Sequence, residues 1–138
     1  SFVPTQNDLP VANRVGPGKR PRSAMSPTIL INGEGRPVLA MGSPGGSRIL
    51  GFNARVLSAY IAGVHDAGKL VSLPMALNRN GPSEVERTLG RDAIAELKAR
   101  GHDVKVVDMA SGHGVIVRRG STLQGAADPR REGQAVGF

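Results

Sequence analysis

With 138 residues and 14.4 kDa, the chain is one small domain or part of one, and its 19 Gly and 10 Pro commit much of it to turns. The absence of Cys excludes disulfides, thiolate zinc sites and a cysteine nucleophile, and no apolar run nears the roughly 18 residues of a membrane span. A formal charge of +7 raises nucleic acid as a partner, but 14 of the 18 cations are Arg, scattered from Arg14 to Arg131, with no aromatics interleaved to stack bases, so a charged face toward a partner chain is the better reading.

Residues 1–22 carry Pro4, Pro10, Pro17 and Pro21 and no hydrophobic period, which forbids a helix and predicts an extended arm. Its apolar residues, Phe2, Val3, Leu9 and Val11, cannot form a core alone, so the arm is expected to lie against something else. Thr28–Asn32 and Pro37–Met41 are apolar runs around Gly33-Glu34-Gly35, which reads as a hairpin. Both runs are nearly continuous, so both faces of these strands are expected to be covered. After Gly42-Ser43-Pro44-Gly45-Gly46-Ser47-Arg48, apolar residues at Ile49, Phe52, Val56, Tyr60 and Val64 form a helical stripe ending at Gly63 or Gly68. A short helix near Lys69–Leu73 follows, then a loop over Met75–Ser83 and a brief strand at Glu84-Val85-Glu86. Thr88 is the expected N-cap of a helix to about Arg100, with Asp92 in its first turn, a Glu96–Arg100 pair and Gly101 beyond its end. Val104–Met109 and Val115–Arg118 read as strands. Gly120-Ser121 reads as a two-residue turn into Thr122–Ala126, and Asp128–Phe138 as a tail. The order suggests a layered α/β or α+β sheet, with too few strands to stand alone.

The chemistry-bearing residues are sparse. His65, His102 and His113 have neither the spacing nor the companions of a metal site, and no metal or cofactor is expected. His102 reads as solvent-facing and His113 as part of a tight turn between glycines. Glu84 and Glu86 share a face of a strand, but beside Arg87 they read as surface residues rather than as a paired acid and base. Gly45-Gly46 at the mouth of a helix offers backbone N–H groups to an anion, either a phosphate or the oxyanion of acyl transfer. The spacing matches no phosphate-loop pattern, and on spacing alone a plain tight turn is the simpler reading. Ser23 and Ser26, near Lys19, Arg20 and Arg22, suit a carboxylate ligand or are simply strand-edge serines. No serine has the Gly-x-Ser-x-Gly context, so no nucleophile is visible.

Gly16-Pro17-Gly18-Lys19-Arg20-Pro21-Arg22-Ser23-Ala24-Met25-Ser26-Pro27-Thr28, then Gly42-Ser43-Pro44-Gly45-Gly46-Ser47-Arg48-Ile49, resembles the gamma-glutamyltransferase family, and Gly125-Ala126-Ala127-Asp128-Pro129-Arg130 is similar to its carboxy-terminal signature. The resemblance implies an N-terminal nucleophile hydrolase, an αββα sandwich made from a precursor that cuts itself into large and small subunits. Residues 1–138 would be a single partial domain, the carboxy-terminal part of the small subunit, with 1–22 as arm and 23–138 in the sandwich. It would begin downstream of the nucleophilic Thr and just after the acidic segment that holds the substrate's amino group. Gly45 and Gly46 match the oxyanion-hole glycines. Ser23 matches the first of two serines that bind the alpha-carboxylate of the glutamyl group, and Ala24 replaces the second. The expected partners are the large subunit, the upstream part of the small subunit and a gamma-glutamyl substrate such as glutathione, in a periplasmic or secreted bacterial enzyme. A related acylase with another acyl donor is the alternative. From a different class, a polyanion-binding module would use Lys19–Arg22 and the helix mouth.

Overall fold

A computed structural model describes residues 5–7 and 9–137. The two apolar runs form the predicted hairpin, Thr28–Ile31 (β3) with Pro37–Gly42 (β4), after a small arm hairpin of Thr5–Gln6 (β1) and Leu9–Pro10 (β2). Asn32 shapes the β3–β4 turn: its Oδ1 accepts the amides of Glu34 and Arg36 at 3.0 and 2.9 Å, an Asx-type closure. Gly114–Arg119 (β8) pairs antiparallel with β4, and Thr122–Ala127 (β9) with β8, giving the sheet order β3-β4-β8-β9. Gly120, at φ 62°, turns the chain between Arg119 and Thr122 as expected.

Ile49–Ile61 (α1) and Ala67–Val71 (α2) cover one face of this sheet. Phe52, Val56 and Tyr60 of α1, with Leu70 and Val71 of α2, meet Leu39, Met41, Val115 and Val117 from the strands. Each such side chain contributes about 1.5–3 kcal/mol on burial, so this layer is the core. Asp66 caps α2, accepting the Lys69 amide at 2.8 Å, and its carboxylate also holds Gln124 of β9 at 3.2 Å.

The opposite face departs from expectation. The row Ile29–Ala40–Ile116–Gly125 runs across all four strands, and Ile29 and Ile31 are 64 % and 56 % exposed. Strand alternation sends Leu39 and Met41 inward and this row outward, where Ala135 of the tail stands 3.2 Å from the Cβ position of Gly125. The continuous apolar runs therefore correspond to one covered face and one largely open one.

A second sheet holds Ala76–Leu77 (β5), Ser83–Val85 (β6) and Val104–Val106 (β7), with β6 and β7 parallel and Arg91–Ala99 (α3) between them. Three expectations need correction here. The expected loop at Met75–Ser83 contains β5, because Ala76 pairs with Val85. Thr88 does not cap α3: Arg87–Leu89 form a separate 3-10 turn, and Gly90, at φ 93°, resets the backbone so that the helix starts at Arg91. The strand from Val104 ends at Val106 rather than Met109. Asp92 does lie in the first turn of α3, and Glu96 pairs with Arg100. In the arm, Phe2 and Val3 lie outside the described residues. The rest is partly folded on itself, with Lys19 Nζ donating to the Ala12 carbonyl at 2.8 Å, and Leu9 and Val15 are exposed.

Candidate functional site

The register of the four-stranded sheet gathers four segments at one end. Thr28 lies opposite Met41, Gly42 opposite Gly114, and Gly114 opposite Ala127. The residues just outside those pairs therefore leave the sheet together: Ser23–Pro27, Ser43–Arg48, Ser111–His113 and Asp128–Arg131.

The strand–glycine loop–helix reading holds. Gly45 has φ 148° and Gly46 φ 57°, backbone angles that favour glycine. A Cβ on Gly45 would stand 2.7 Å from Cε2 of Phe52, so the ring packs directly beneath the turn. Gly46–Arg48 then form a 3-10 turn leading into α1, and the Arg48 amide donates to the Gly45 carbonyl at 3.1 Å. The first amides of a helix have no internal acceptor, and among the described residues neither Gly45 nor Gly46 donates its N–H. Nothing stands within 4 Å of the Cβ position at Gly46, so that side is open.

Ser23 is exposed, and its Oγ accepts the Met25 amide at 3.2 Å, which leaves its O–H able to donate. Ala24 adds no polar group. Ser26 is already engaged: its carbonyl and Oγ accept from Asn53 Nδ2 at 2.6 and 3.0 Å. Lys19 turns to the Ala12 and Arg14 carbonyls.

The other two segments brace the glycine turn. The Gly112 amide donates to Ser43 Oγ at 3.1 Å, and Arg131 grips the Ala110 and Ser111 carbonyls from the tail. Asp128 is buried and accepts from Ser111 Oγ at 2.6 Å, from the His113 amide at 3.3 Å and from Arg130 Nη1 at 3.1 Å. Burial pushes this carboxyl up, but the Ser111 and Arg130 hydrogen bonds outweigh it and hold it below the usual range. His113, read from sequence as part of a tight turn, is instead fully buried, its ring edge-on to Phe52 at 6.3 Å. Burial pushes its pKa down from 6.5, against the attraction of Asp128, so the imidazole is held neutral. His102 is exposed, as expected.

Glu84 and Glu86 do not form an acid–base pair, and neither is a free surface residue. Glu86 is buried, accepts the Met75 amide at 2.8 Å and takes two bonds from Arg130, at 2.7 and 2.6 Å. Glu84 accepts from Arg48 at 2.9 Å and Arg79 at 3.0 Å, tying β6 to the helix mouth. The Arg48 hydrogen bond, helped by Arg79, lowers its pKa from 4.5 to about 2. Arg48, Arg79 and Arg130 are thus paired with acids inside the chain. The sequence offered no local signal for Asn53 or for the buried role of Glu86, since they act through partners 27 and 44 residues away.

Two pH dependences follow. The folded pKa of Glu84 is depressed, so its contribution is complete above about 4.5 and is lost as pH falls toward about 2. Glu84→Gln is expected to remove about 1 kcal/mol at pH 7 and less at pH 3, measured by denaturant titration. His113 resists protonation when folded, so below 6.5 the unfolded chain binds more protons and stability falls with pH. His113→Gln is expected to flatten the change in melting temperature between pH 7.5 and 5, while Glu84→Gln leaves that range as it was.

The gamma-glutamyltranspeptidase family model matches residues 2–138. The chain belongs to the gamma-glutamyltranspeptidase family. It is 36 % identical over 122 residues to the glutathione hydrolase proenzyme of Escherichia coli, covering 86 % of this chain and 21 % of that protein. It is also 32 % identical over 135 residues to the oxamate amidohydrolase proenzyme of Klebsiella pneumoniae, covering 90 % of this chain and 25 % of that protein. Among solved structures, a Helicobacter pylori gamma-glutamyltranspeptidase mutant superposes with a TM-score of 0.79 at 28 % identity, over 87 % of this chain and 68 % of that one. The mixed α and β architecture is thus that of gamma-glutamyltranspeptidases. The chain spans about a fifth of the length of the first of these curated relatives. Among the described residues, no helix is long and apolar enough to cross a membrane.

Proposed function

We propose that residues 1–138 are the carboxy-terminal part of the small subunit of an enzyme that cleaves the gamma-glutamyl amide of glutathione and passes the acyl group to an amino acid, a peptide or water. The observation that carries this reading is the Gly45–Gly46 turn, with two free amides at the open mouth of a helix. When a Thr from outside these residues adds its oxygen to the amide carbonyl, the carbonyl electrons move onto oxygen. The Gly45 and Gly46 N–H groups stabilise that charge, which on the carbonyl is only partial. The hydroxyl proton passes to the amide nitrogen, and the C–N bond then breaks to release the amine and leave the acyl-enzyme. The Ser23 O–H donates to the alpha-carboxylate of the glutamyl group.

The partners are the large subunit and the upstream part of the small subunit of the same precursor. The open row Ile29–Ala40–Ile116–Gly125 supports a sandwich in which another sheet covers it, with residues 23–138 as part of one domain. The reaction needs no metal or cofactor from this chain, and a periplasmic or secreted bacterial location fits the family.

A second reading, an acylase of the same family with another acyl donor, is favoured by Ala24. Ala in place of Ser removes one hydrogen bond to a charged group, about 1.5–3 kcal/mol. Steady-state turnover of the complete protein on a gamma-glutamyl anilide and on oxamate separates the two. Aniline release with no ammonia from oxamate is expected, and the reverse would favour the second reading.

A further inference from the structure

Asn53 is a polar residue on the buried stripe of α1, only 5 % exposed, beside the core residues Phe52 and Val56. A buried amide is costly unless it is hydrogen-bonded, and an apolar side chain would serve the core better here. Its two donated bonds both go to Ser26, one to the carbonyl at 2.6 Å and one to Oγ at 3.0 Å, while its Oδ1 has no hydrogen bond among the described residues. It is therefore a single tie between α1 and the Ser23–Ser26 segment rather than a member of a network. The preceding residue, Phe52, lies under Gly45. Consecutive residues of one rigid helix thus touch the two halves of the site, Phe52 the glycine turn and Asn53 the serine segment.

We infer that Asn53 is a positioning residue that sets where the Ser23 hydroxyl stands relative to the Gly45 and Gly46 amides, and so makes the enzyme select donors that carry an alpha-carboxylate. The inference rests on the gamma-glutamyl reading. A donor with that carboxylate must reach both halves of the site at once, whereas a donor without it uses only the glycine turn. Loosening the serine segment penalises the first and spares the second. Ala24 sharpens the dependence, because the neighbouring position supplies no hydroxyl to compensate for a misplaced Ser23.

The test uses the complete, processed enzyme and two chromogenic donors, the gamma-glutamyl anilide and the 4-aminobutanoyl anilide, which differ only in the alpha-carboxylate. Wild type is expected to prefer the first. Asn53→Ala is expected to raise KM for the gamma-glutamyl donor roughly tenfold, with kcat changed less than about threefold and turnover of the second donor unaltered, so the preference falls about tenfold. Asn53→Asp keeps the side-chain volume but removes the donor to the Ser26 carbonyl, and is expected to give the same fall, which separates loss of the tie from any packing defect caused by the smaller Ala. An unchanged preference in both variants, or equal losses on both donors, overturns the positioning role and leaves Asn53 a structural residue. A wild-type enzyme that hydrolyses both donors equally overturns the carboxylate reading itself, before any variant is made.

Discussion

Gly46→Pro is expected to lower kcat on the gamma-glutamyl anilide by roughly 10²–10³-fold, about 3–4 kcal/mol, with a smaller effect on KM. Proline removes one of the two free amides at the helix mouth. It also carries a φ near −65°, where Gly46 sits at 57°. Gly46→Ala separates the two effects. It keeps the N–H and meets open space, so it bears only the left-handed strain of about 1–2 kcal/mol and should retain turnover within about tenfold. Gly45 does not tolerate the same change. A methyl there meets the Phe52 ring at 2.7 Å on a backbone of φ 148°, so Gly45→Ala is expected to lose stability as well as activity. If Gly46→Pro turned over at the wild-type rate, the oxyanion assignment would be wrong.

Arg130→Met is expected to destabilise the protein by about 3–5 kcal/mol, the range for breaking a buried ion pair from one side. Arg130 donates to both oxygens of Glu86, to Asp128 and to the Val71 and Leu73 carbonyls. Removing it leaves two buried carboxylates without their cation. Arg130→Lys keeps the charge but not the planar fork, so it restores only part of the loss. Activity should fall too, because Asp128 holds Ser111 and His113, and the intervening Gly112 amide holds Ser43 beside the glycine turn. Guanidinium titration of wild type and both variants measures the stability term. A loss below about 1 kcal/mol for Arg130→Met would mean that the cluster is solvated rather than buried.

Local pattern made much of the fold legible in the sequence. The β3–β4 hairpin, the glycine loop leading into α1 and the β8–β9 turn each rest on turn chemistry or helical period within a few residues. Thr88 misled because a capping residue is a weak signal beside Gly90, whose positive φ separates the 3-10 turn from α3. The open face of Ile29 and Ile116 was not legible, since an apolar run has the same composition whether its second face is covered within the chain or not. At the proposed site, Ser23, Gly45 and Gly46 were singled out by motif, and the exposed Ser23 hydroxyl and the unpaired amides of the glycine turn are compatible with the roles proposed for them. Asn53 and Ser111 were found only as structure, and so were the buried roles of Glu86 and Asp128. Asp128 and Arg130 lie in a quoted signature, but their burial and the pairing with Glu86 depend on register across distant strands. His113 reversed its reading for the same reason: two flanking glycines suggested a turn, yet the ring fills the space behind Phe52.

The central claim is that these residues bind and stabilise the acyl group while the nucleophile lies elsewhere. Rapid quenching of the complete protein during turnover of a gamma-glutamyl anilide, followed by peptide mass spectrometry, tests it most directly. The account predicts a gamma-glutamyl adduct on an N-terminal Thr outside residues 1–138, and loss of that adduct with Gly46→Pro. An adduct on Ser23, Ser26 or any other residue of this chain, or aniline release through no acyl intermediate, would contradict it.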